Sequence, residues 1–228
     1  MVGKRSYEDG CAAAHALDLI GERWALLVAR ELILGPKRFT DLRAGLPGIS
    51  PNVLTQRLEE LERASILQRR KLPPPASVWV YELTEWGAQL EGVIMALGRW
   101  GAKSPNLPKG DPLSVDSTML SLRTMFDPVS SAGVKGVLEF RFGEERFRGR
   151  IGAGRLELVR GSADAPDVVV ATSPALLLAL IYGGYPIKDA LRAGELTLSG
   201  DQALFKRFIT LFPLPAPAPA TYVPADGH

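Results

Sequence analysis

A mainly-α domain followed by an α+β domain, the second with an antiparallel sheet and helices on one face, is the architecture this sequence predicts. Three observations carry the prediction. Up to Trp100, apolar residues recur mostly at three- and four-residue spacings, the period of amphipathic helices. From Val137 onward several short runs alternate or are wholly apolar, as strands are. Between the two regions, residues 101–116 hold Pro105, Pro108, Pro112 and two glycines without apolar periodicity, which marks a linker. The expected division is a first domain at 1–104, a linker at 105–116, a second domain at 117–212 and a tail at 213–228. In that tail alternating proline forbids helix and favours extended chain.

In the first domain, Leu17, Ile20, Trp24, Leu27, Val28, Ile33 and Leu34 place one helix over 12–34, stopped by Gly35-Pro36. A short helix over Arg38–Ala44 ends at Gly45 and Pro47-Gly48. Ser50-Pro51 sets an N-cap before a proline at the first helical position. The helix it opens has Leu54, Leu58 and Leu61 on one face and runs to about Ala64. Ile66–Lys71 and Val78–Leu83 read as strands, with Pro73-Pro74-Pro75-Ala76-Ser77 as a stiff hairpin tip. Thr84 caps a last helix through Trp100, whose stripe Leu90, Val93, Ile94, Leu97 and Trp100 suits either a dimer interface or an internal core. Helix, helix, turn, helix, hairpin, helix is the order of a winged helix-turn-helix.

In the second domain, Val137–Phe142, Arg146–Ile151, Arg155–Val159 and Val168–Ala171 read as strands separated by glycine-rich turns. Ser173-Pro174 starts a leucine-rich helix. Asp189–Ala193, Leu196–Leu198 and Gln202–Leu211 follow as helix, strand and helix.

Composition narrows the function. With Cys11 the single cysteine, no internal disulfide can form, and no apolar run approaches the roughly 20 residues of a membrane span. Met1–Arg5 lead into polar residues, so no signal peptide is expected and the chain reads as cytoplasmic. His15 and His228 are the only histidines, which argues against a metal site, and no cofactor motif is present. Gly149–Gly154 lacks dinucleotide-binding spacing, and no nucleophile stands beside a general base, so an enzyme is not expected.

Charge is uneven along the chain. Between Pro36 and Pro73 eight basic residues face four acidic ones, while from Asp111 onward the counts are 12 and 13. A locally basic segment in a near-neutral chain suggests a specific anionic partner. With Leu54, Leu58 and Leu61 inward, Asn52, Gln56, Glu59 and Arg63 face outward with Thr55 beside them. Ser50, Asn52, Thr55 and Gln56 at a helix N-terminus suit a major groove, where Asn and Gln amides pair with adenine. Arg38, Arg69, Arg70 and Lys71 would flank the duplex and bind phosphates, with Arg57 included in the DNA-binding set. An ordinary solvated helix face and a charged edge strand are the alternatives for each residue taken singly.

The residues also match a family. Trp24-Ala-Leu-Leu-Val, Arg38-Phe39-Thr40-Asp41-Leu42, Ile49–Leu61 and Tyr81-Glu82-Leu83-Thr84-Glu85-Trp86-Gly87 resemble the HxlR-type winged-helix transcriptional regulators of bacteria, over roughly residues 7–103. The resemblance implies a homodimer in which the first and last helices pack across a two-fold axis, presenting two recognition helices to a palindromic double-stranded DNA site. Cys11 lies where some members carry a redox-sensing cysteine, although the family's Cys-Pro is Cys-Ala here. The segment from Asp164 to Asp201 resembles the sterol carrier protein fold, taken to cover about 117–212, which implies an apolar cavity in some members. Phe140, Phe142, Leu176, Leu180, Ile181 and Tyr182 are its candidate lining, with a filled core or a purely dimerising domain as the alternatives.

The expected function is sequence-specific DNA binding by a homodimer, repression preferred over activation. The second domain would dimerise or sense an apolar effector, and no membrane partner is expected. The alternative is a carrier of apolar small molecules that uses its first domain mainly to dimerise.

Overall fold

The computed structural model describes residues 6–108 and 110–219. The chain divides into two compact units, Met1–Ile94 and Met95–His228. None of the described helices is long and apolar enough to cross a membrane.

The first unit begins with α1 (Ala12–Ile20) and α2 (Ala25–Leu32), where one helix over 12–34 was expected. Gly21 closes α1 by donating its N–H to the Leu17 carbonyl at 2.8 Å, and Trp24 then takes φ +79°. A bulky residue in that region is strained. Its ring belongs to the core and lies over Gly48, where a Cβ would sit 3.8 Å from it. The apolar spacing ran on through residues 21–24 because Trp24 is itself a core residue.

Next come α3 (Phe39–Gly45), α4 (Pro51–Arg63), the strands β1 (Leu67–Lys71) and β2 (Trp79–Leu83), and α5 (Glu85–Ala88). α6 (Leu90–Gly101) continues from α5 across the boundary between the units. Val28 and Leu32 of α2, Leu42 of α3, Leu54, Leu58 and Leu61 of α4, and Ile66 and Leu67 close one core. β1 and β2 pair antiparallel, Leu67 opposite Leu83 and Lys71 opposite Trp79. Lys37 adds a one-residue third strand, its N–H donating to the Tyr81 carbonyl at 3.0 Å and its carbonyl accepting the Tyr81 N–H at 2.8 Å. At the hairpin's far end the Thr84 hydroxyl donates to the Ser65 carbonyl at 2.8 Å and accepts the Gly87 N–H at 3.0 Å. Gly87 is required there, because a Cβ would overlap the Ile66 carbonyl oxygen.

A buried ion pair ties these pieces together. The Glu31 carboxylate has no exposure, accepts from Lys37 Nζ at 2.8 Å and receives the Arg30 guanidinium at 3.0 Å. A Cβ on Gly45, at the end of α3, would collide with the same carboxylate.

The second unit opens on α7 (Val115–Met125), capped by the Ser114 hydroxyl, which accepts the Ser117 N–H at 3.0 Å. The sequence reading did not anticipate this helix, because the prolines before it drew attention to a linker. The sheet consists of β3 (Gly136–Phe142), β4 (Glu145–Gly152), β5 (Arg155–Arg160), β6 (Val168–Ala171) and β7 (Thr197–Gly200), in spatial order β5-β4-β3-β6-β7. The expectation of an antiparallel sheet needs one correction. β6 lies parallel to β3, with Leu138 opposite Val168 and Phe140 opposite Val170. Strand alternation specifies faces but not a partner's direction, so the sequence did not reveal the crossover. The returning segment 161–167 is held by the Ala163 N–H, which donates to the buried Glu139 carboxylate at 2.9 Å.

On one face of the sheet lie Leu138, Phe140, Phe142, Phe147, Ile151, Leu158, Val168 and Val170, all buried. That face receives α7 and α10 (Gln202–Phe208), with α8 (Pro174–Tyr182) against α7 and α9 (Ile187–Arg192) between α8 and β7 in the chain. Phe140 meets Phe208 at 5.3 Å and Phe208 meets Phe212 at 4.8 Å between ring centroids. Asp116 of α7, 1% exposed, binds Arg160 of β5 at 2.6 Å, and Arg160 also reaches Glu145 at 2.5 Å. Residues 213–219 carry no regular structure, and the rest of the expected tail lies outside the described residues.

Replacing Lys37 with Met removes a cation from a buried carboxylate. It is expected to lower unfolding free energy by about 3 kcal/mol, measured by urea denaturation. A loss below about 1 kcal/mol would mean that Glu31 is satisfied without Lys37.

Candidate nucleic-acid interface

α3, the turn through Ile49 and α4 form a helix-turn-helix. The Ile49 N–H donates to the Leu46 carbonyl at 3.1 Å and Gly48 takes φ +90°, a conformation that glycine adopts without steric cost. The Ser50 hydroxyl accepts the Val53 N–H at 3.3 Å, so its side chain caps α4. Leu54, Leu58 and Leu61 are buried beneath, while Asn52, Thr55, Gln56 and Glu59 are exposed. The predicted outward residues therefore share the exposed side of the helix's first two turns. Gln56 is engaged within the helix, its amide donating to Glu60 Oε1 at 3.0 Å.

Arg57 departs from the expectation. Its side chain is 8% exposed and lies 2.6 Å from Glu60 and 3.6 Å from Glu22, bracing α4 against the segment between α1 and α2. Buried and paired, it presents no cation to an outside partner. Its position, three residues after Leu54 and four before Leu61, was the available signal, since that spacing puts it on the inward face. Lys37, counted in the basic segment, is likewise buried and committed to Glu31.

The hairpin carries the remaining charges. The Arg69 guanidinium lies over the Trp79 ring at 4.7 Å and 6.0 Å from the Tyr81 ring, an arrangement that holds a cation rigid while leaving it solvated. Arg70 Nε pairs with Glu82 at 2.6 Å, and Lys71 is exposed near the tip. Arg38 is exposed at the N-terminus of α3, where its N–H donates to Asp41 Oδ2 at 3.2 Å. Trp79, 52% exposed, was not singled out from sequence, although its alternation with the buried Val80 put it on the open side. Beside the start of α4 a concavity of about 440 Å³ is lined by Trp24, Gly48, Ser50, Val53, Gln56 and Arg57.

The other expected site residues belong to other elements. Cys11 is exposed immediately before α1, and the backbone N–H groups of Ala13 and Ala14 pull its thiol pKa below the ordinary value. Phe140, Phe142 and Leu180 are buried, with Leu176, Ile181 and Tyr182 half-buried on α8. Burial pushes the Tyr182 phenol up to about 12, against a smaller opposing pull from Ser121. None of these six lines the second unit's groove of about 620 Å³, which is framed by Lys135, Arg150 and Arg155. Among the described residues no three His, Cys, Asp or Glu side chains group as a metal site requires.

Residues 19–107 match the family model of the HxlR-like helix-turn-helix, and residues 132–213 that of the SCP-2 sterol transfer family. An uncharacterized HTH-type transcriptional regulator of Bacillus subtilis, YtcD, is 37% identical over 102 residues, covering 43% of this chain and 79% of that protein. The chain belongs to the HxlR-like helix-turn-helix family. A second relative, the HTH-type transcriptional regulator YodB of Bacillus subtilis, is 39% identical over 85 residues, 37% of this chain and 76% of that protein. The solved reduced form of YodB is 33% identical, with 44% of this chain and 100% of that chain covered and a TM-score of 0.39.

The lowered pKa of Cys11 has a direct consequence in solution. Its thiolate fraction at a given pH exceeds that of an unstructured peptide, so the pH midpoint of its iodoacetamide alkylation rate should fall below the usual value of about 8.5. A midpoint equal to that of the peptide would show that the helix start gives the thiolate no support.

Proposed function

We propose that this HxlR-like protein is a sequence-specific transcriptional regulator that binds a palindromic DNA site as a homodimer, with repression the simplest consequence of occupying promoter DNA. The observation that carries the reading is the polar edge Asn52, Thr55 and Gln56, exposed at the capped N-terminal end of a helix whose opposite face is locked in the core. In the major groove Asn52 and Gln56 are the base-reading amides, and Gln56 exchanges its bond to Glu60 for one to a base. Arg38, Arg69 and Lys71 supply phosphate contacts, joined by Arg70 if the pair with Glu82 opens. The helix N-terminus adds its own favourable field for a phosphate.

Dimerisation rests on α6. None of its 12 residues is buried, and Val93, Leu97 and Trp100 are 49%, 49% and 75% exposed. An apolar stripe left open on a helix is a contact surface for another chain, and here the occupant is a second copy. The second domain adds to the dimer or senses an effector, and Cys11, exposed and acidified, is the proposed point of redox input.

Two measurements test this reading. Binding to the DNA upstream of the protein's own coding sequence, followed by fluorescence anisotropy over a salt series, is expected to exceed binding to scrambled DNA by about a thousandfold or more. Asn52→Ala with Gln56→Ala should weaken the specific site by roughly 10- to 100-fold for each lost amide pair, leaving the salt slope intact. Equal affinity for both DNAs would overturn the proposal. For the dimer, Leu97→Glu is expected to convert the protein to a monomer in sedimentation velocity at micromolar concentration, and an unchanged dimer would move the interface away from α6.

A further inference from the structure

The sheet of the second unit has a face that the helices do not cover. Pairing places Val137 opposite Arg150 and Arg150 opposite Glu157, all on this outer side, with Gly152 opposite Arg155 one step along. Lys135, just before β3, lies beside Gly152, since a Cβ built on that glycine would meet Lys135 Cγ at 4.0 Å and nothing nearer. A glycine without a side chain thus forms the floor between two cations, and Arg150 stands one pleat behind. These residues frame the groove of about 620 Å³, a volume within the range of small-molecule sites.

Two arginines of the same sheet are held by carboxylates. Arg141 is engaged by Glu139 at 2.6 Å, and Arg160 by Asp116 and Glu145. Among the described residues Lys135, Arg150 and Arg155 have no such carboxylate partner. Of the two carboxylates at the groove, Asp167 is committed to the Val137 N–H at 2.7 Å, and Glu157 is exposed. Three exposed cations and two carboxylates thus border a concave floor made of Val137 and glycine backbone, an excess of one positive charge.

We propose that this groove binds a small organic anion, a phosphate or carboxylate carried on a compact apolar body. The anionic group takes charge-assisted hydrogen bonds from Lys135, Arg150 and Arg155, and the apolar part lies on Val137 and the open backbone at Gly152. The site lies on the side of the sheet away from the packed helices and is separate from the Phe140 and Tyr182 set.

The test uses phenyl phosphate as the probe and benzyl alcohol as its neutral counterpart, in isothermal titrations of the full chain at low ionic strength without DNA. Phenyl phosphate is expected to bind saturably at millimolar concentration or tighter and benzyl alcohol not to bind. Arg155→Gln should weaken phenyl phosphate about tenfold. Gly152→Val is the decisive variant. Its Cβ has room and its strand position favours a branched residue, so the fold survives while the side chain fills the floor. It should also weaken binding about tenfold or more, with circular dichroism unchanged, whereas Arg192→Gln, an exposed arginine paired with Asp189 on α9, should have no effect. Absence of saturable binding, or binding indifferent to both groove variants, overturns the proposal. So does a result in which those variants leave phenyl phosphate untouched but flatten the salt dependence of duplex DNA binding, which would make the face a phosphate-backbone contact. Because the titration contains no DNA, its outcome is independent of whether the chain proves to be a regulator.

Discussion

Glu31 is a carboxylate with no access to water, and the organisation of the first unit follows from what that demands. An unpaired charge at such a site costs several kcal/mol, so α2 can bury this residue only where cations are brought to it. Arg30 comes from the same helix, but Lys37 belongs to the segment that leads into α3. The backbone of Lys37 is at the same time hydrogen bonded to Tyr81 of the hairpin. One residue therefore couples the end of α2, the entry to α3 and the hairpin. Gly45 leaves space for the carboxylate at the other end of α3. With those relations set, the turn at Gly48 and the cap at Ser50 deliver α4 in one orientation, its leucines inward and its amides outward.

A second charge cluster supports the same helix from beneath. Glu60 takes Arg57 at 2.6 Å and Gln56 at 3.0 Å, so one carboxylate braces the buried face and restrains the exposed face together. In the hairpin, aromatic rings play the corresponding part for Arg69, holding a cation out in solvent at little entropic cost. The two kinds of support, buried ion pairs for the scaffold and local contacts for the exposed tips, separate folding from recognition.

The second unit repeats the principle with a different division of faces. Asp116, Arg160 and Glu145 bridge α7, β5 and β4, and the aromatic side chains from Phe140 to Phe212 fill the covered side. On the uncovered side three cations remain without carboxylate partners around a glycine floor. Glu157 and Asp167 offset only two of these three charges, which leaves that groove, rather than the apolar interior, as the place for an anionic ligand.

Local order was legible in the residues themselves. The Ser50-Pro51 start, the leucine stripe of α4, the hairpin around three prolines and the strand runs after Val137 each report a property of a few neighbouring residues, and each lies within a residue or two of the observed element. The outward set Asn52, Thr55 and Gln56 was legible for the same reason, since a helix wheel needs only one helix. What local pattern could not decide was anything that depends on a distant partner. The break between α1 and α2 turns on Trp24 packing over Gly48, and α7 was hidden behind the prolines that precede it. The direction of β6 depends on a crossover pinned by Glu139. Lys37 counted as surface charge until tertiary structure brought Glu31 against it, whereas the inward place of Arg57 was legible in its own helix and only its partner Glu22 came from outside it. Periodicity fixes which face a residue occupies, whereas burial of a charge and direction of a strand are free-energy balances struck between segments far apart in the chain.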